Sequence, residues 1–517
     1  VKRRLLWPTR GEAIAVLASA ILFGIAFPPY PFVVPVFACL VPLAVAVARR
    51  ADEGAPWGSA ARMGFWFGIL GNGINLYWMA SALRLYTSLA YLGFAGALLA
   101  MAIVATGTVV TLWAIRRVTR LPLVILLPVV WIASELLLNY LSDLAFPWLP
   151  LGLATARLPV LAQSADLSGV RGVSFWIAAI NGLIADAWLL RAHRAAVVKR
   201  AAAVVVIVAA AALYGWWRLS SITLRSVAPI AVVQPNVPQQ DKWQEENRDR
   251  IVGMLTEPTR EVLSRDDASL VVWPETALPG FLPSHPEWRD SLHALAREYK
   301  TPILFGILDV TFPDPFEPSS YEYYNAAMLA DSTGRVGTQP AYHKTYLVPV
   351  VERVPFLNPA WFGNLRYFGG LARGARPVPY ELPFGKVGVL ICYESIFPQR
   401  SRLYRNEGAS VLVNITNDAW FGRTIAPYQH DAHLALRAIE NRVGIVRAAN
   451  TGISSYIDPL GREHGATELF VPAARTYEAQ TTELRPLYVR VGDWVGALSA
   501  VATLGLLLAS ARKLREP

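Results

Sequence analysis

Cys392 closes a short apolar run, Val387-Gly388-Val389-Leu390-Ile391, and is followed at once by Tyr393 and Glu394. A thiol at a strand end, with acidic and basic groups available from other strand ends, is how a cysteine nucleophile is presented. The chain's other cysteine, Cys39, lies in an apolar segment near the N-terminus. Alone, Cys392 would read as a buried structural thiol. Two further segments change that. Leu270-Val271-Val272-Trp273-Pro274-Glu275 drives a strand into a carboxylate, and Tyr342-His343-Lys344-Thr345-Tyr346-Leu347-Val348-Pro349 sets a lysine at the start of a loop that leads to Glu352. Brought to one end of a sheet, these groups make an acyl-transfer site. Glu275 removes the thiol proton as general base. Lys344 favours the thiolate and stabilises the tetrahedral oxyanion. Cys392 carries the acyl group as a thioester. Taken singly, Glu275 is an ordinary surface or helix-start carboxylate and Lys344 a solvated lysine; their order and matching contexts carry the signal.

The elements that must position them follow from the pattern between 225 and 485, where strand-length apolar runs alternate with amphipathic helical stretches in an α/β arrangement. Ile230–Val233, Leu270–Trp273, Pro302–Leu308, Asn325–Leu329, Val387–Ile391, Val411–Ile415, Ile445–Ala448 and Ser454–Ile457 read as strands. Asn247–Ser264, Trp288–Tyr299 and Tyr428–Asn441 read as helices. No phosphate-binding glycine loop and no G-x-S-x-G elbow occurs, which argues against nucleotide binding and serine hydrolysis.

The rest of the chain is of another kind. Of 517 residues, 54% are hydrophobic and 17% charged, a balance that points to a membrane protein with a soluble part. Seven apolar stretches precede residue 220 (11–28, 31–48, 63–82, 87–115, 121–140, 170–192 and 201–218) and an eighth covers 488–511. Each approaches the ~20 residues of a transmembrane helix. The first reads as a retained helix, since no small-residue cleavage site follows it. The net charge of +10 is concentrated in alternate short loops: Lys2, Arg3, Arg4, Arg10; Arg49, Arg50, Arg62; Arg116, Arg117, Arg120; Arg191, Arg194, Lys199, Arg200; and Arg512, Lys513, Arg515. That distribution speaks for membrane orientation rather than nucleic acid, with both termini cytoplasmic and the 219–487 segment on the outer face.

Taken together, Val233-Gln234-Pro235-Asn236, Trp273-Pro274-Glu275-Thr276, His343-Lys344, Val350 to Phe356, Cys392-Tyr393-Glu394 and Asn417 to Gly422 resemble the carbon–nitrogen hydrolase (nitrilase) superfamily. The eight-span frame around them resembles the apolipoprotein N-acyltransferase family. The resemblance implies a polytopic α-helical membrane domain of eight transmembrane helices joined to an α/β nitrilase-like domain, an αββα sandwich. It divides the chain into a seven-helix membrane domain (1–219), an extracytoplasmic catalytic domain (220–485), and a last helix with a cytoplasmic tail (486–517). It implies Glu275, Lys344 and Cys392 as catalytic residues, with Glu352, Glu394, Tyr393, Asn325 and Trp243 as supporting or pocket residues. It implies transfer of a fatty acyl chain from a phospholipid to the N-terminal amine of a diacylglyceryl-cysteine lipoprotein, by a monomer in the bacterial inner membrane whose catalytic domain is periplasmic, with no cofactor and no metal.

Other features are weighed beside this. His430 and His433, at i,i+3 spacing, could suggest a metal, but no third ligand recurs nearby and a helix-face or capping role is expected. The turn-rich segments 277–288 and 353–376 read as lids that admit acyl chains. A membrane-tethered amidase or nitrilase acting on a small substrate would use the same triad. A transporter or scaffold would need ionisable groups along several helices, and those within apolar stretches, such as Glu135, Asp186 and Asp493, are too sparse to trace a route.

Overall fold

The computed structural model describes residues 7–84, 90–312, 321–355 and 370–513. The N-terminal part is helical: Arg10–Gly24, Val41–Asp52, Trp57–Leu76, Trp78–Arg84, Ala90–Thr119, Leu123–Asn139, Ala165–Leu189 and Arg194–Ser221. Five described helices are long and apolar enough to cross a bilayer: Val34–Asp52, Ala90–Thr119, Ala165–Leu189, Arg194–Ser221 and Trp494–Lys513. Leu123–Asn139 is apolar but shorter, at 17 residues. Small residues bring the helices close, as expected where lipid offers no hydrophobic drive to association. A Cβ on Gly68 would lie 2.6 Å from the Cα of Ala102, so Trp57–Leu76 rests directly on the backbone of Ala90–Thr119.

Three acids of the apolar stretches have structural duties. Asp186 accepts from the amides of Leu123 and Val124, each at 3.0 Å, and so caps the start of Leu123–Asn139. Glu135 accepts from the Leu151 amide at 2.8 Å and the Trp131 indole at 3.1 Å. Asp493 pairs with Arg171 and accepts from the Gly496 amide at 3.0 Å. Each closes backbone or side-chain donors locally, which is what an internal carboxylate must do in a medium without water.

Two sheets form the second part. The first carries β1 (Arg225–Gln234), β2 (Leu270–Val272), β3 (Leu278–Phe281), β4 (Ile303–Thr311), β5 (Glu322–Ala330), β6 (Tyr342–His343) and β13 (Ala473–Thr481), in the order β13-β1-β2-β4-β5-β6 with β3 also on β4. The second runs β12-β11-β10-β9-β8-β7, from β7 (Tyr380–Leu382), β8 (Gly385–Ile391), β9 (Ala409–Thr416), β10 (Ile445–Ala449), β11 (Ser455–Ile457) and β12 (Glu463–His464). Strand alternation sorts the layers. Ile230, Val232, Leu270, Val272 and Leu304 share the core between the sheets with Val387 and Val389. Ala231, Val233, Val271 and Phe305, one step out of phase, meet Ile251, Leu255, Leu292 and Leu295 of the covering helices Arg248–Arg265 and Pro286–Tyr299. Helices Pro398–Asn406 and Ala426–Asn441 cover the second sheet. The neighbours β1-β2-β4 and β8-β9-β10 are parallel, so both sheets present carboxyl ends, the usual place for a site.

Two expectations change and a third is left without a test. The 277–288 segment is no lid: Leu278–Phe281 is strand β3, and Ala277, Leu282 and Trp288 are buried. The 353–376 segment falls mostly outside the described residues. The last apolar stretch is split, because Gly492 at φ 82° ends a short helix, Leu487–Val491, whose Tyr488 and Val489 carbonyls accept from Arg402 Nε.

Candidate active site

Each expected catalytic residue stands where its strand ends. Glu275 follows β2, and the turn that carries it lies flat on β4 because Gly306 leaves room; a Cβ there would sit 2.5 Å from the Pro274 carbonyl oxygen. Lys344 follows β6, its amide donating to the Asn325 carbonyl at 2.8 Å. Cys392 follows β8 and opens the short turn Cys392–Ile396 with φ at 49°. A non-glycine residue held in the left-handed region is a local cost that surrounding contacts must fix.

The side chains converge. Lys344 Nζ donates to Glu275 Oε1 at 3.1 Å and to Glu352 Oε1 at 2.8 Å. Asn325 Nδ2 donates to the same two oxygens, at 2.6 and 2.8 Å. Glu275 Oε2 accepts from the Asn417 amide at 2.9 Å and Glu352 Oε2 from the Val348 amide at 2.8 Å. Cys392, Glu275, Lys344, Glu352 and Tyr393 all line one cavity of about 380 Å³. Its opposite wall is apolar and comes from the helical part, including Trp78, Gly96, Ala97, Ala100, Phe146 and Trp148.

Electrostatics refine the expected roles. Burial alone would lower the Lys344 pKa, but Glu275 and Glu352 outweigh it and raise the value, so Lys344 is a permanent ammonium. Burial pushes the Cys392 thiol up, Glu275 adds to that, and Lys344 only partly opposes them. Cys392 is therefore a neutral thiol at rest. Lys344 favours the thiolate, as expected, but burial and Glu275 act against it, so a base is needed to take the proton as the sulfur attacks.

The supporting residues divide. Asn325, Glu352 and Tyr393 belong to the site, Tyr393 being held by its hydroxyl on the Ala145 carbonyl at 2.6 Å. Glu394 does not line the cavity. It is fully buried and accepts from the Tyr342 hydroxyl, the Thr345 amide and hydroxyl, the Tyr346 amide and the Ile391 amide. It thus ties the Lys344 loop to the Cys392 strand. Trp243 is 46% exposed and does not line the cavity either. Its neighbour Lys242 is the buried member of that turn; Nζ donates to the Glu275 carbonyl at 3.1 Å, and burial lowers its pKa to about 7.

Sequence reasoning missed Lys242 and a second group beneath the thiol. Asp418, His430 and Arg447 are buried and mutually bonded, and His430, expected in a helix-face or capping role, lies with Nε2 3.1 Å from the Cys392 carbonyl oxygen. Atoms of Cys392, Asp418 and His430 lie within 4.8 Å of one another, a spacing that could suit a cation. The donor set does not fit one, because Asp418 Oδ2 already takes the Arg447 guanidinium at 2.7 Å and a second cation would be repelled there.

Residues 229–467 match the carbon-nitrogen hydrolase family, and residues 19–183 match the apolipoprotein N-acyltransferase N-terminal domain. Among curated proteins, an apolipoprotein N-acyltransferase of Geobacter metallireducens is 33% identical over 515 residues, covering 98% of this chain and 96% of the relative. That of Methylococcus capsulatus is 30% identical over 511 residues, covering 96% of each. Among solved structures, an amidase from Nesterenkonia sp. is 19% identical, covers 53% of this chain and 95% of its own, and has a TM-score of 0.36.

Proposed function

The chain belongs to the apolipoprotein N-acyltransferase family, and from that premise we propose how its site moves a fatty acyl chain from a membrane phospholipid to the N-terminal amine of a diacylglyceryl-cysteine lipoprotein. The observation that carries the reading is the cavity itself: the Cys392 group forms one wall and apolar residues of the helical part form the other. A small amide needs no such wall. A fatty acyl chain does.

The cycle is ping-pong. Cys392 Sγ bonds to the ester carbonyl carbon while its proton passes to Glu275. The tetrahedral oxyanion is stabilised by the Lys344 ammonium. Collapse breaks the ester C–O bond; the leaving oxygen takes the proton from Glu275 and departs as lysophospholipid. The lipoprotein amine then attacks the thioester, Glu275 accepts its proton, and the sulfur leaves to recover it. Glu352 and Asn325 hold Lys344 and Glu275 in register throughout. The apolar wall keeps water from the thioester between the two halves.

The catalytic assignments rest on the hydrogen bond that joins Lys344 to Glu275 and on the cavity both share with Cys392. The eight-span reading is supported by the helices Arg10–Gly24, Trp57–Leu76 and Leu123–Asn139 beside the five long apolar ones. Clustered basic residues in alternate loops support cytoplasmic termini and a periplasmic catalytic domain, with boundaries near 219 and 486. One chain supplies every group of the site, so a monomer suffices.

Intact-protein mass spectrometry of the detergent-purified protein after incubation with phospholipid alone tests this. The expected result is a mass increase of one acyl chain, discharged by a diacylglyceryl lipopeptide and absent in Cys392→Ala. An adduct cleared by water as fast as by the lipopeptide would instead indicate a hydrolase.

A further inference from the structure

The nucleophile's unusual backbone has a keeper. Cys392 sits at φ 49°, and its carbonyl oxygen is engaged from two directions. His430 Nε2 lies 3.1 Å from it, and Ser395 Oγ donates to it at 2.9 Å. His430 Nε2 and Ser395 Oγ are themselves 3.0 Å apart, closing a small buried ring beneath the thiol.

His430 is fixed in turn. Its Nδ1 lies 3.1 Å from Asp418 Oδ1 and 3.2 Å from Arg447 Nη2. Asp418 Oδ1 accepts from Thr416 and Oδ2 from Arg447, whose other nitrogens reach Asn414 and the Ile453 carbonyl. Arg447 and the buried histidine hold Asp418 well below the usual carboxylate range against the opposing effect of burial. The ring face stacks on Trp148, with centroids 5.7 Å apart and planes 24° apart. Trp148 is pinned by the same helix: its indole donates to Gln429 at 2.8 Å, and its carbonyl lies 3.0 Å from His433 Nε2.

The network also reaches the base. Asn417, next to Asp418, gives its amide to Glu275 Oε2. One two-residue segment at the end of β9 therefore touches the general base on one side and the ring that holds the nucleophile on the other. A ring nitrogen and Sγ lie within 4.8 Å, yet among the described residues no hydrogen bond joins them, and Nε2 is taken by the Cys392 carbonyl. This arrangement suits a holder and not a proton carrier.

We propose that His430 is a positioning residue for acyl transfer: with Asp418 and Arg447 behind it and Ser395 beside it, it sets the Cys392 elbow and keeps Sγ in register with Glu275. The inference deepens the acyltransferase reading and takes its reaction from it. A displaced nucleophile costs on the order of 10²-fold in rate even where binding is intact.

The test compares His430→Gln, whose amide nitrogen can reach the Cys392 carbonyl but cannot titrate, with His430→Phe, which keeps the stack on Trp148 and loses the hydrogen bond. For acyl transfer from phospholipid vesicles to a lipopeptide, His430→Phe should lower kcat about 100-fold with KM within about twofold. His430→Gln should recover to within about fivefold of the parent, with an unchanged pH profile. Alkylation of Cys392 by iodoacetamide should follow the same order. Should His430→Phe fail to fold, Ser395→Ala removes the second arm alone and should lower kcat several-fold at constant KM. Normal turnover in His430→Phe overturns the proposal. So does a His430→Gln as inactive as His430→Phe with one limb of the pH profile missing, because the ring would then be carrying a proton. If the parent transfers no acyl group while alkylation still ranks the variants as stated, the acyltransferase reading fails and the positioning role stands.

Discussion

The two walls of the reaction cavity are built on opposite principles. On the sheet side, Lys344, Glu275, Glu352 and Asn325 share four hydrogen bonds among four polar atoms, and each carboxylate is also fixed by a backbone amide. On the helical side, Gly96, Ala97 and Ala100 offer the cavity no directional contact. The sheet wall defines positions to a fraction of an ångström; the helical wall defines only a volume. Chemistry that is the same for every substrate is given to the rigid wall, and the choice of chain is left to shape and apolar contact.

The comparison implies very unequal tolerance to change. Lys344→Met should be the most damaging of three substitutions, lowering kcat by about 10³-fold, because it removes the oxyanion partner and leaves two carboxylates facing each other. Steady-state transfer to a lipopeptide measures this, and retention of a tenth of the activity would break the contrast. Gly96→Leu should be milder and selective. A side chain at Gly96 meets nothing within 4 Å, so the protein should fold while the cavity shortens. The expected result is about a tenfold loss of kcat/KM for long-chain phospholipids with little change for short-chain ones. Equal losses at every chain length would remove the volume argument.

The smallest effect concerns stability. Lys242 has its folded pKa depressed to about 7 from an ordinary 10.5, chiefly by burial. Between those values the unfolded chain binds more protons than the folded one, so this group makes stability rise as pH increases from about 7 to about 10.5, and its penalty is full below 7. Lys242→Met removes the titration. Thermal unfolding in detergent should then show a melting-temperature gain over the parent that is larger at pH 6.5 than at pH 9.5. A constant difference would mean that the lysine is not desolvated in solution.

Sequence reasoning places the three proposed catalytic residues because each ends a strand, and strands announce themselves by short apolar runs. For Asn325, inside β5 and not at a strand end, that reasoning relies on the family resemblance alone. It fails where side-chain direction in a turn decides: Trp243 was expected inward, yet the turn buries Lys242 and exposes Trp243. It fails also where partners converge from distant segments. Asp418, His430 and Arg447 come from the end of β9, a helix and β10, and although His430 and the Asn417–Gly422 segment stand out in the sequence, nothing local shows that they meet. β13 escaped because Ala473–Thr481, as an edge strand on β1, alternates small and polar residues and has no apolar run.

The carboxylate of Asp186 bears on how the helical part is made. The amides it caps lie at Leu123 and Val124, 63 and 62 positions earlier in the chain. During synthesis, that helix start emerges well before its acceptor exists. The cap therefore forms only once Ala165–Leu189 lies beside Leu123–Asn139, and until then those amides need another acceptor. For Asp186→Ala the expected defect is then in biogenesis, seen as a lower yield of correctly inserted protein in a pulse-chase protease-protection assay, with normal specific activity in the molecules that complete it.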